Sequence, residues 1–248
     1  MKKLFYIFLL SSLSLFAGEI NIAVAANVGY AMDELKEEFK KSYPNTRVIV
    51  TLGSSGKLTA QIKNGAPYGI FMSADMEYPE ALYNEGLAVA KPIIYANGAL
   101  AYLSSKKLDF SKGIKILNGK DISKIAIANP KTAPYGAAAI EAIKKSGIYE
   151  EIKGNFVYGE SISQAVSYAV TAADVGLVPK SSLYGDKMIK YKEGINWTSV
   201  DEKLYSPIEQ GLVILKNTQN NAEYKAFYDF ILSQKAKEIF KRYGYIVK

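Results

Sequence analysis

The chain has 248 residues, of which 49% are apolar and 22% are charged, a composition typical of a globular protein of one large or two compact domains. It contains no cysteine and no histidine, which excludes disulfide frameworks, Cys/His zinc sites, thiol nucleophiles and Ser-His-Asp triads. The formal net charge is +7, but only Arg47 and Arg242 are arginines. Because the lysines are dispersed beside acidic residues, we predict no nucleic-acid partner.

The N-terminal segment, residues 1–17, has the pattern of a secretory signal peptide. Lys2 and Lys3 precede an apolar run over residues 4–16, and Ala17 and Gly18 are small residues suited to cleavage. The run is shorter than the roughly 20 apolar residues of a transmembrane helix, and no cysteine follows it that could carry a lipid. We therefore expect a soluble, periplasmic protein without a lipid anchor; a retained membrane anchor is the alternative.

Short apolar strands alternate with amphipathic helices in the rest of the chain, which predicts an α/β fold of two lobes with mostly parallel sheets. The expected strands cover residues 20–26, 47–52, 69–73, 99–103, 124–128, 155–158, 175–178 and 210–215. The expected helices cover residues 28–39, a short stretch after 53–56, 137–146, 161–172 and 222–242, with a loop at 129–136 and a C-cap at Gly244.

Two crossings between the lobes are expected, at the strands over residues 99–103 and 210–215. Lobe one would then be discontinuous and comprise residues 19–97 and 208–248. Lobe two would comprise residues 98–207. The helix and strand order of one half resumes in the other, so each lobe is expected to have its own sheet.

Four junctions between a strand and a helix carry glycine or small polar residues: 26–27, 53–56, 134–136 and 160–162. Such turns meet at the carboxyl ends of parallel strands, where the first N–H groups of the helices can bind an anion. Each junction alone is better explained by ordinary helix capping. Together, in a chain without histidine and cysteine, the four favour an anion site built from neutral donors.

Residues 53–57, Gly-Ser-Ser-Gly-Lys, also resemble two catalytic motifs. They lack the spacing of a phosphate-binding loop, because only two residues separate the glycines and Leu58 follows the lysine. Ser54 and Lys57 fit the S-x-x-K pattern of penicillin-interacting enzymes, but the chain contains neither S-D-N nor K-T-G. An exported serine enzyme that uses Ser54 and Lys57 therefore remains as an alternative of a different class.

From about residue 20 to residue 247 the sequence resembles the periplasmic molybdate-binding proteins of bacterial ABC importers. The resemblance lies in Gly-Ser-Ser-Gly-Lys-Leu at 53–58, Gly-Ala-Pro at 65–67, Phe-Met-Ser-Ala-Asp at 71–75, and Ala-Phe-Tyr-Asp-Phe at 226–230 with Ile-Phe-Lys-Arg-Tyr-Gly at 239–244. It implies the type II periplasmic binding protein fold, in which two α/β lobes enclose a ligand cleft. It also implies a tetrahedral dianion held by hydroxyl and backbone N–H donors.

The resemblance assigns four ligand-binding residues. Asn27 takes the position of a Ser or Asn after the first strand, and Ser55 that of a hydroxyl donor. Tyr135 and Ile162 take positions whose backbone N–H groups face the anion. Pro179 stands where many members have a tyrosine hydroxyl donor, and Gly69 replaces a common aspartate. The first departure affects the number of donors and the second only the local structure.

The function implied by the resemblance is capture of molybdate, and of tungstate, and delivery to the membrane permease of an ABC transporter. The metal is bound as an oxyanion, so we expect no free cation site, no cofactor and no enzymatic activity. A monomer is expected because nothing in the sequence indicates oligomerisation. A binding protein of the same fold for another oxyanion or a small organic anion is the first alternative, and the serine enzyme is the second.

Overall fold

The structure is a computed structural model that describes residues 18–247. The predicted signal peptide, residues 1–17, lies outside the described residues. Within the described part of the chain, no helix has the length and hydropathy of a membrane span.

Residues 18–247 form ten strands and eight α-helices. The strands are β1 (Gly18–Ala25), β2 (Thr46–Gly53), β3 (Ile70–Met72), β4 (Ile93–Gly98), β5 (Leu100–Leu103), β6 (Ile125–Ala128), β7 (Phe156–Gly159), β8 (Val175–Pro179), β9 (Trp197–Ser199) and β10 (Ile208–Ile214). The helices are α1 (Gly29–Ser42), α2 (Ser55–Lys63), α3 (Glu77–Asn84), α4 (Pro134–Lys145), α5 (Tyr149–Ile152), α6 (Ile162–Thr171), α7 (Ala222–Ile231) and α8 (Gln234–Arg242).

The strands form two five-stranded sheets, each of which defines a lobe. In lobe one the order is β2-β1-β3-β10-β4, and β1 is parallel to β2 and β3 while β10 is antiparallel to β3 and β4. In lobe two the order is β7-β6-β8-β5-β9, and β6 is parallel to β7 and β8 while β5 is antiparallel to β8 and β9. The predicted α/β fold with two lobes is confirmed, and each sheet is mixed because the strands next to the crossings run antiparallel.

The chain passes between the sheets twice. It leaves lobe one between β4 and β5, and it returns between β9 and β10. The sheet of lobe one therefore takes its strands from residues 18–98 and 208–214, and that of lobe two from residues 100–199. The boundaries at 97/98 and 207/208 remain a prediction, and β4 extends one residue beyond the first of them.

Each sheet buries an apolar face under helices. In lobe one, Ile22 and Val24 of β1 belong to the same buried cluster as Leu35 and Phe39 of α1 and Phe240 of α8. In lobe two, the central strand β6 and the helices α4 and α6 contribute to one such cluster, with Ile127, Ala139 and Ala165 fully buried. The helices α1, α4 and α6 follow the parallel strands β1, β6 and β7, so the fold directs their N-termini to the carboxyl edges of the two sheets.

Two predicted elements are wrong in their bounds. Residues 129–136 were expected to form a loop, but α4 already begins at Pro134, because proline at the first helical position has no N–H to lose and a fixed φ suited to the helix. Residues 222–242 were expected to form one helix, but the Ser233 side chain accepts a hydrogen bond from the Ala236 N–H and starts α8 as a separate helix. Gly244 has the positive φ, 73°, of a residue that follows a helix C-terminus.

Candidate functional site

A small cavity lies between the lobes, where the carboxyl ends of their parallel strands face each other. Turns after β1, β2 and β3 line it from lobe one, and the first turns of α4 and α6 line it from lobe two. None of the lining residues has a charged side chain; they are Ala25, Ala26, Asn27, Gly53, Ser54, Ser55, Ala74, Ala133, Pro134, Tyr135 and Ile162. The cavity thus joins all four predicted ligand-binding residues.

The volume of this cavity is about 10 Å³, close to that of one water-sized sphere. Two larger depressions, of about 340 Å³ beside β4 and about 500 Å³ between α1 and β2, share no lining residue with it. Pockets for organic ligands typically measure roughly 300–1,000 Å³. In this arrangement of the lobes, the cavity is therefore far smaller than a typical pocket for an organic ligand.

Ser54 occupies the N-cap position of α2 but does not cap the helix. Its backbone is extended, with φ −69° and ψ 147°, and its side chain makes no capping hydrogen bond. The residue is 5% exposed, and its Oγ is buried without a hydrogen-bond partner within residues 18–247. Because a buried polar atom without a partner is costly, this hydroxyl is a free donor suited to a ligand in the cavity.

Ser55, the first residue of α2, is fully buried and has a different hydrogen-bond pattern. Its Oγ accepts a hydrogen bond from the Ala74 N–H at 3.0 Å. That bond uses a lone pair and leaves the hydroxyl proton available for an acceptor in the cavity. The turn after β3 therefore orients the Ser55 hydroxyl towards donation.

Asn27 follows β1 and is buried, and its side-chain amide is already hydrogen-bonded within the protein. Nδ2 donates to Gln210 Oε1 at 2.7 Å and to Tyr245 Oη at 2.9 Å, so both of its hydrogens are in use. Oδ1 is buried without a partner in the described chain, and it can only accept. The remaining donor of Asn27 is its backbone N–H.

Tyr135 and Ile162 bring the first turns of α4 and α6 to the cavity. Tyr135 is the second residue of α4, which begins with Pro134, and Ile162 is the first residue of α6. Ser161 caps α6 by accepting a hydrogen bond from the Gln164 N–H, so the capping interpretation is right for that serine. Burial raises the pKa of the Tyr135 hydroxyl well above its ordinary value, so this group stays protonated.

The backbone N–H groups of the four predicted ligand-binding residues are free. Across residues 18–247, no protein group accepts a hydrogen bond from the N–H of Asn27, Ser55, Tyr135 or Ile162. The first N–H groups of a helix have no acceptor within it, and the dipoles of α2, α4 and α6 add positive potential at their N-termini. The site combines these N–H groups with the hydroxyls of Ser54 and Ser55, and its chemistry is that of an anion site without cations.

Comparison with known proteins agrees with this geometry. Residues 20–246 match the family of bacterial extracellular solute-binding proteins. The molybdate-binding protein ModA of Rhodobacter capsulatus is 39% identical over 234 residues, which cover 94% of this chain and 90% of that protein. ModA of Azotobacter vinelandii is 38% identical over 92% of this chain and 90% of its own length. The chain belongs to the bacterial extracellular solute-binding proteins, in the group of ModA.

A solved structure shows the same architecture for a ModA-like solute-binding protein. The periplasmic molybdate-binding protein of Azotobacter vinelandii superposes with a TM-score of 0.84 and 32% sequence identity, over 92% of this chain and 99% of that one. The alignment thus includes both lobes and the crossings between them. The resemblance drawn from the short motifs is confirmed at the level of the family.

Two departures from the family pattern have clear structural settings in this solute-binding protein. Pro179 ends β8, pairs with Leu100 and does not line the cavity. Two residues later, Ser181 Oγ donates to the Asn27 carbonyl at 3.0 Å and joins the lobes. A side chain at Gly69 would overlap Tyr224, since a Cβ there would lie 2.1 Å from its ring.

Ser54 and Lys57 do not form a catalytic pair. Lys57 Nζ forms an ion pair with Glu160 of lobe two, and both side chains are more than half exposed. Lys57 is absent from the cavity lining, whereas Ser54 is part of it. The curated relatives are binding proteins, and this solute-binding protein likewise is not an enzyme.

Sequence reasoning missed several residues of the site. Ser54 was considered only as an enzyme nucleophile, although its place before α2 could have identified it as a second hydroxyl at the same turn. Ala74 lines the cavity and orients Ser55. Gln210 and Tyr245 contact Asn27 across 183 and 218 residues of chain, and no local pattern could have revealed these contacts.

Proposed function

We propose that this protein captures molybdate, and tungstate, as a tetrahedral dianion between its lobes and delivers it to the permease of an ABC importer. The observation that carries the proposal is the uncharged cavity with free N–H groups from Asn27, Ser55, Tyr135 and Ile162 and a partnerless hydroxyl on Ser54. The ModA relatives, 38% and 39% identical, support molybdate as the ligand.

Neutral donors suffice to hold a dianion at this place. A hydrogen bond to a charged group contributes about 1.5–3 kcal/mol, and several such bonds converge in the cavity. Enclosure between the lobes removes water and strengthens each bond. The absence of charged lining side chains also favours release, because no buried cation is left unpaired when the anion departs.

Selectivity over sulfate follows from size. Sulfate has the same charge and shape as molybdate but is smaller, so its oxygens cannot reach every donor of a cavity fitted to the larger anion. A buried donor that is not reached costs about 1–3 kcal/mol, which corresponds to roughly 5- to 150-fold in the dissociation constant. Molybdate and tungstate are nearly equal in size, and we expect both to bind.

Isothermal titration with molybdate, tungstate, sulfate and phosphate tests this function. We expect tight binding of the first two anions and at least about fivefold weaker binding of sulfate, from the cost of one unreached donor. Binding of sulfate or phosphate in preference to molybdate would instead identify a carrier of another oxyanion. Binding of none of these anions, with a melting-temperature rise for a small carboxylate, would identify an organic anion as the ligand.

We further propose that the chain is exported, carries no lipid anchor and is a monomer. Residues 1–17 would be removed on export, and the mature chain would act in the periplasm as a monomer. N-terminal sequencing of protein recovered from the periplasmic fraction should begin near Gly18. Light scattering should give the mass of one chain with and without molybdate.

A further inference from the structure

Gln210 is a fully buried polar side chain on β10, immediately beside the cavity wall. The pairing of β10 with β4 is irregular between Gln210 and Gly211, at the point where the chain has returned to lobe one. A buried amide must satisfy its hydrogen-bonding groups within the protein. Gln210 does so with groups that belong to the site or adjoin it.

The amide of Gln210 links two turns of the site. Its Oε1 accepts from Asn27 Nδ2 at 2.7 Å, and its Nε2 donates to the Ala74 carbonyl at 3.3 Å and to the Ile208 carbonyl at 3.1 Å. The Ala74 N–H in turn donates to Ser55 Oγ at 3.0 Å. One side chain therefore restrains the turns after β1 and β3, and through Ala74 it restrains the start of α2.

Tyr245, near the C-terminus, holds Asn27 from a second direction. Its Oη accepts from Asn27 Nδ2 at 2.9 Å and donates to the Asn27 carbonyl at 3.0 Å. Tyr245 is itself fixed, because the next residue, Ile246, exchanges backbone hydrogen bonds of 2.8 and 2.9 Å with Asn97 of β4. The amide and the carbonyl of Asn27 are thus both held, and only its N–H is left for a ligand.

We propose that Gln210 and Tyr245 are positioning residues of the anion site, which set its affinity and its preference for molybdate over sulfate. Neither residue lines the cavity, so both act through Asn27, and Gln210 also acts through Ala74. The proposal rests on the proposed function. Discrimination by size requires donors that cannot move inward to contact a smaller anion. The turn that carries the Asn27 N–H is held by both Gln210 and Tyr245, which restricts such movement.

The most direct test of this proposal compares two tyrosine-to-phenylalanine variants. Tyr245→Phe removes the hydroxyl that holds Asn27. Tyr224→Phe, the matched control, removes another buried hydroxyl of lobe one, which accepts from the Asn21 N–H at 2.9 Å and has no contact with the site. Isothermal titration with molybdate and with sulfate, and the melting temperature without ligand, are measured for both.

We expect both variants to lower the melting temperature of the free protein by similar amounts. Only Tyr245→Phe should weaken molybdate binding, by about five- to tenfold, and should reduce the ratio of the sulfate to the molybdate dissociation constant. A purely structural role would lower the melting temperature and leave this ratio unchanged. Wild-type affinity and ratio in Tyr245→Phe would overturn the proposal for Tyr245.

Gln210→Met keeps the length of the side chain and removes all three hydrogen bonds. It should weaken molybdate binding more than Tyr245→Phe does, since it also releases Ala74. In the double variant the losses should be smaller than additive, because both residues act on Asn27. Additive losses would contradict a common action on Asn27. If Gln210→Met does not fold, the measurements on Tyr245→Phe still test the proposal. Failure of the wild-type protein to bind molybdate would overturn the proposed function instead.

Discussion

The two serines at the start of α2 are neighbours in sequence and differ in their roles. The family resemblance selected Ser55 as the hydroxyl donor, yet the hydroxyl without any protein partner belongs to Ser54. Ser55 Oγ already accepts from Ala74 N–H, so its substitution affects the protein as well as the ligand. The two positions can therefore be told apart by comparing stability with affinity.

Ser54→Ala should weaken molybdate binding without harming the free protein. The variant loses one charge-assisted hydrogen bond of about 1.5–3 kcal/mol, or roughly 10- to 150-fold in the dissociation constant. The melting temperature without ligand should stay the same or rise, because a buried hydroxyl without a partner is removed. Titration and thermal unfolding of the same preparation check both parts. Unchanged affinity would exclude Ser54 from the site.

Ser55→Ala should weaken binding and also destabilise the free protein. Removing Oγ leaves the buried Ala74 N–H unpaired, which costs about 1–3 kcal/mol. Denaturant titration without ligand measures the loss; a variant as stable as the wild type would mean that another group takes over the Ala74 N–H.

Tyr135→Phe should leave the affinity for molybdate within about twofold, because the resemblance assigns the backbone N–H of Tyr135, and not its hydroxyl, to the anion. The hydroxyl is buried without a partner in the described chain, so its removal should leave the stability unchanged or increase it. A large loss of affinity would show that the hydroxyl itself contacts the ligand. Titration calorimetry distinguishes the two cases.

The site could be predicted in part from sequence because its donors lie where a strand ends and a helix begins. Asn27, Ser55, Tyr135 and Ile162 all occupy such junctions, and the alternation of strands and helices places the junctions at the same edge of each sheet. The residues that hold the donors in place could not be predicted, because their contacts join distant parts of the chain. Gln210 in particular stands in the apolar pattern of a strand without any local signal.

At the scale of the elements, helix bounds were harder to predict than helix existence. The apolar stripe over residues 222–242 continues in phase across Ser233, so periodicity alone cannot show that α7 ends before it. The break depends on a capping bond from Ala236 N–H to the Ser233 side chain. At α4 the error was that the helix begins earlier than predicted. Pro134 was expected to lie in a loop, but it is the first helical residue.

The turn between β3 and α3 contains a carboxyl group that should titrate near pH 6. Burial, more than the nearby Glu77 and Glu80, raises the pKa of Asp75 from 3.8 to about 6, although its Oδ1 accepts from Tyr78 N–H and Ser73 Oγ. The folded protein binds this proton more tightly than the unfolded chain does. The contribution of Asp75 to stability is therefore largest below its unfolded pKa and is lost as the pH rises through about 6.

Asp75→Asn should consequently be more stable than the wild type at pH 7, by on the order of 1–3 kcal/mol, because the amide keeps an acceptor and carries no charge. The advantage should disappear at pH 4. Denaturant titrations of both proteins at pH 4, 5.5 and 7 measure the difference, in which contributions from other titrating groups cancel. An advantage independent of pH would show that Asp75 is not the titrating group.

At the scale of the whole molecule, the lobes are joined by hydrogen bonds around the cavity. Gly56 N–H donates to the Thr132 carbonyl at 2.9 Å, Ser181 Oγ donates to the Asn27 carbonyl at 3.0 Å, and Ser163 Oγ donates to the Ala26 carbonyl at 3.3 Å. The small cavity volume and these contacts together describe a closed arrangement. The cavity has room for about one water-sized sphere, so binding of a larger anion requires the lobes to separate.

Lys57→Ala removes the exposed ion pair with Glu160, which also joins the lobes. Such pairs contribute about 0–1 kcal/mol, so we expect less than about fivefold weaker molybdate binding. The effect should shrink further at high salt, because both side chains are accessible to solvent. Titration at two salt concentrations checks this. A loss of more than tenfold that is insensitive to salt would mean that the ligand contacts Lys57.

The bond from Gly56 to Thr132 has a consequence for how long an anion remains bound. A Cβ at position 56 would lie 3.1 Å from the Thr132 Cα and 2.7 Å from Tyr78 Oη, so a larger residue would force the Thr132 backbone and the Tyr78 side chain to shift. A methyl group there would act as a spacer that keeps the lobes slightly apart. The rate of capture depends on the open form and would change little, whereas the dwell time of the anion depends on how completely the lobes shut. We therefore expect Gly56→Ala to shorten the residence time of the anion and to leave its association rate little changed.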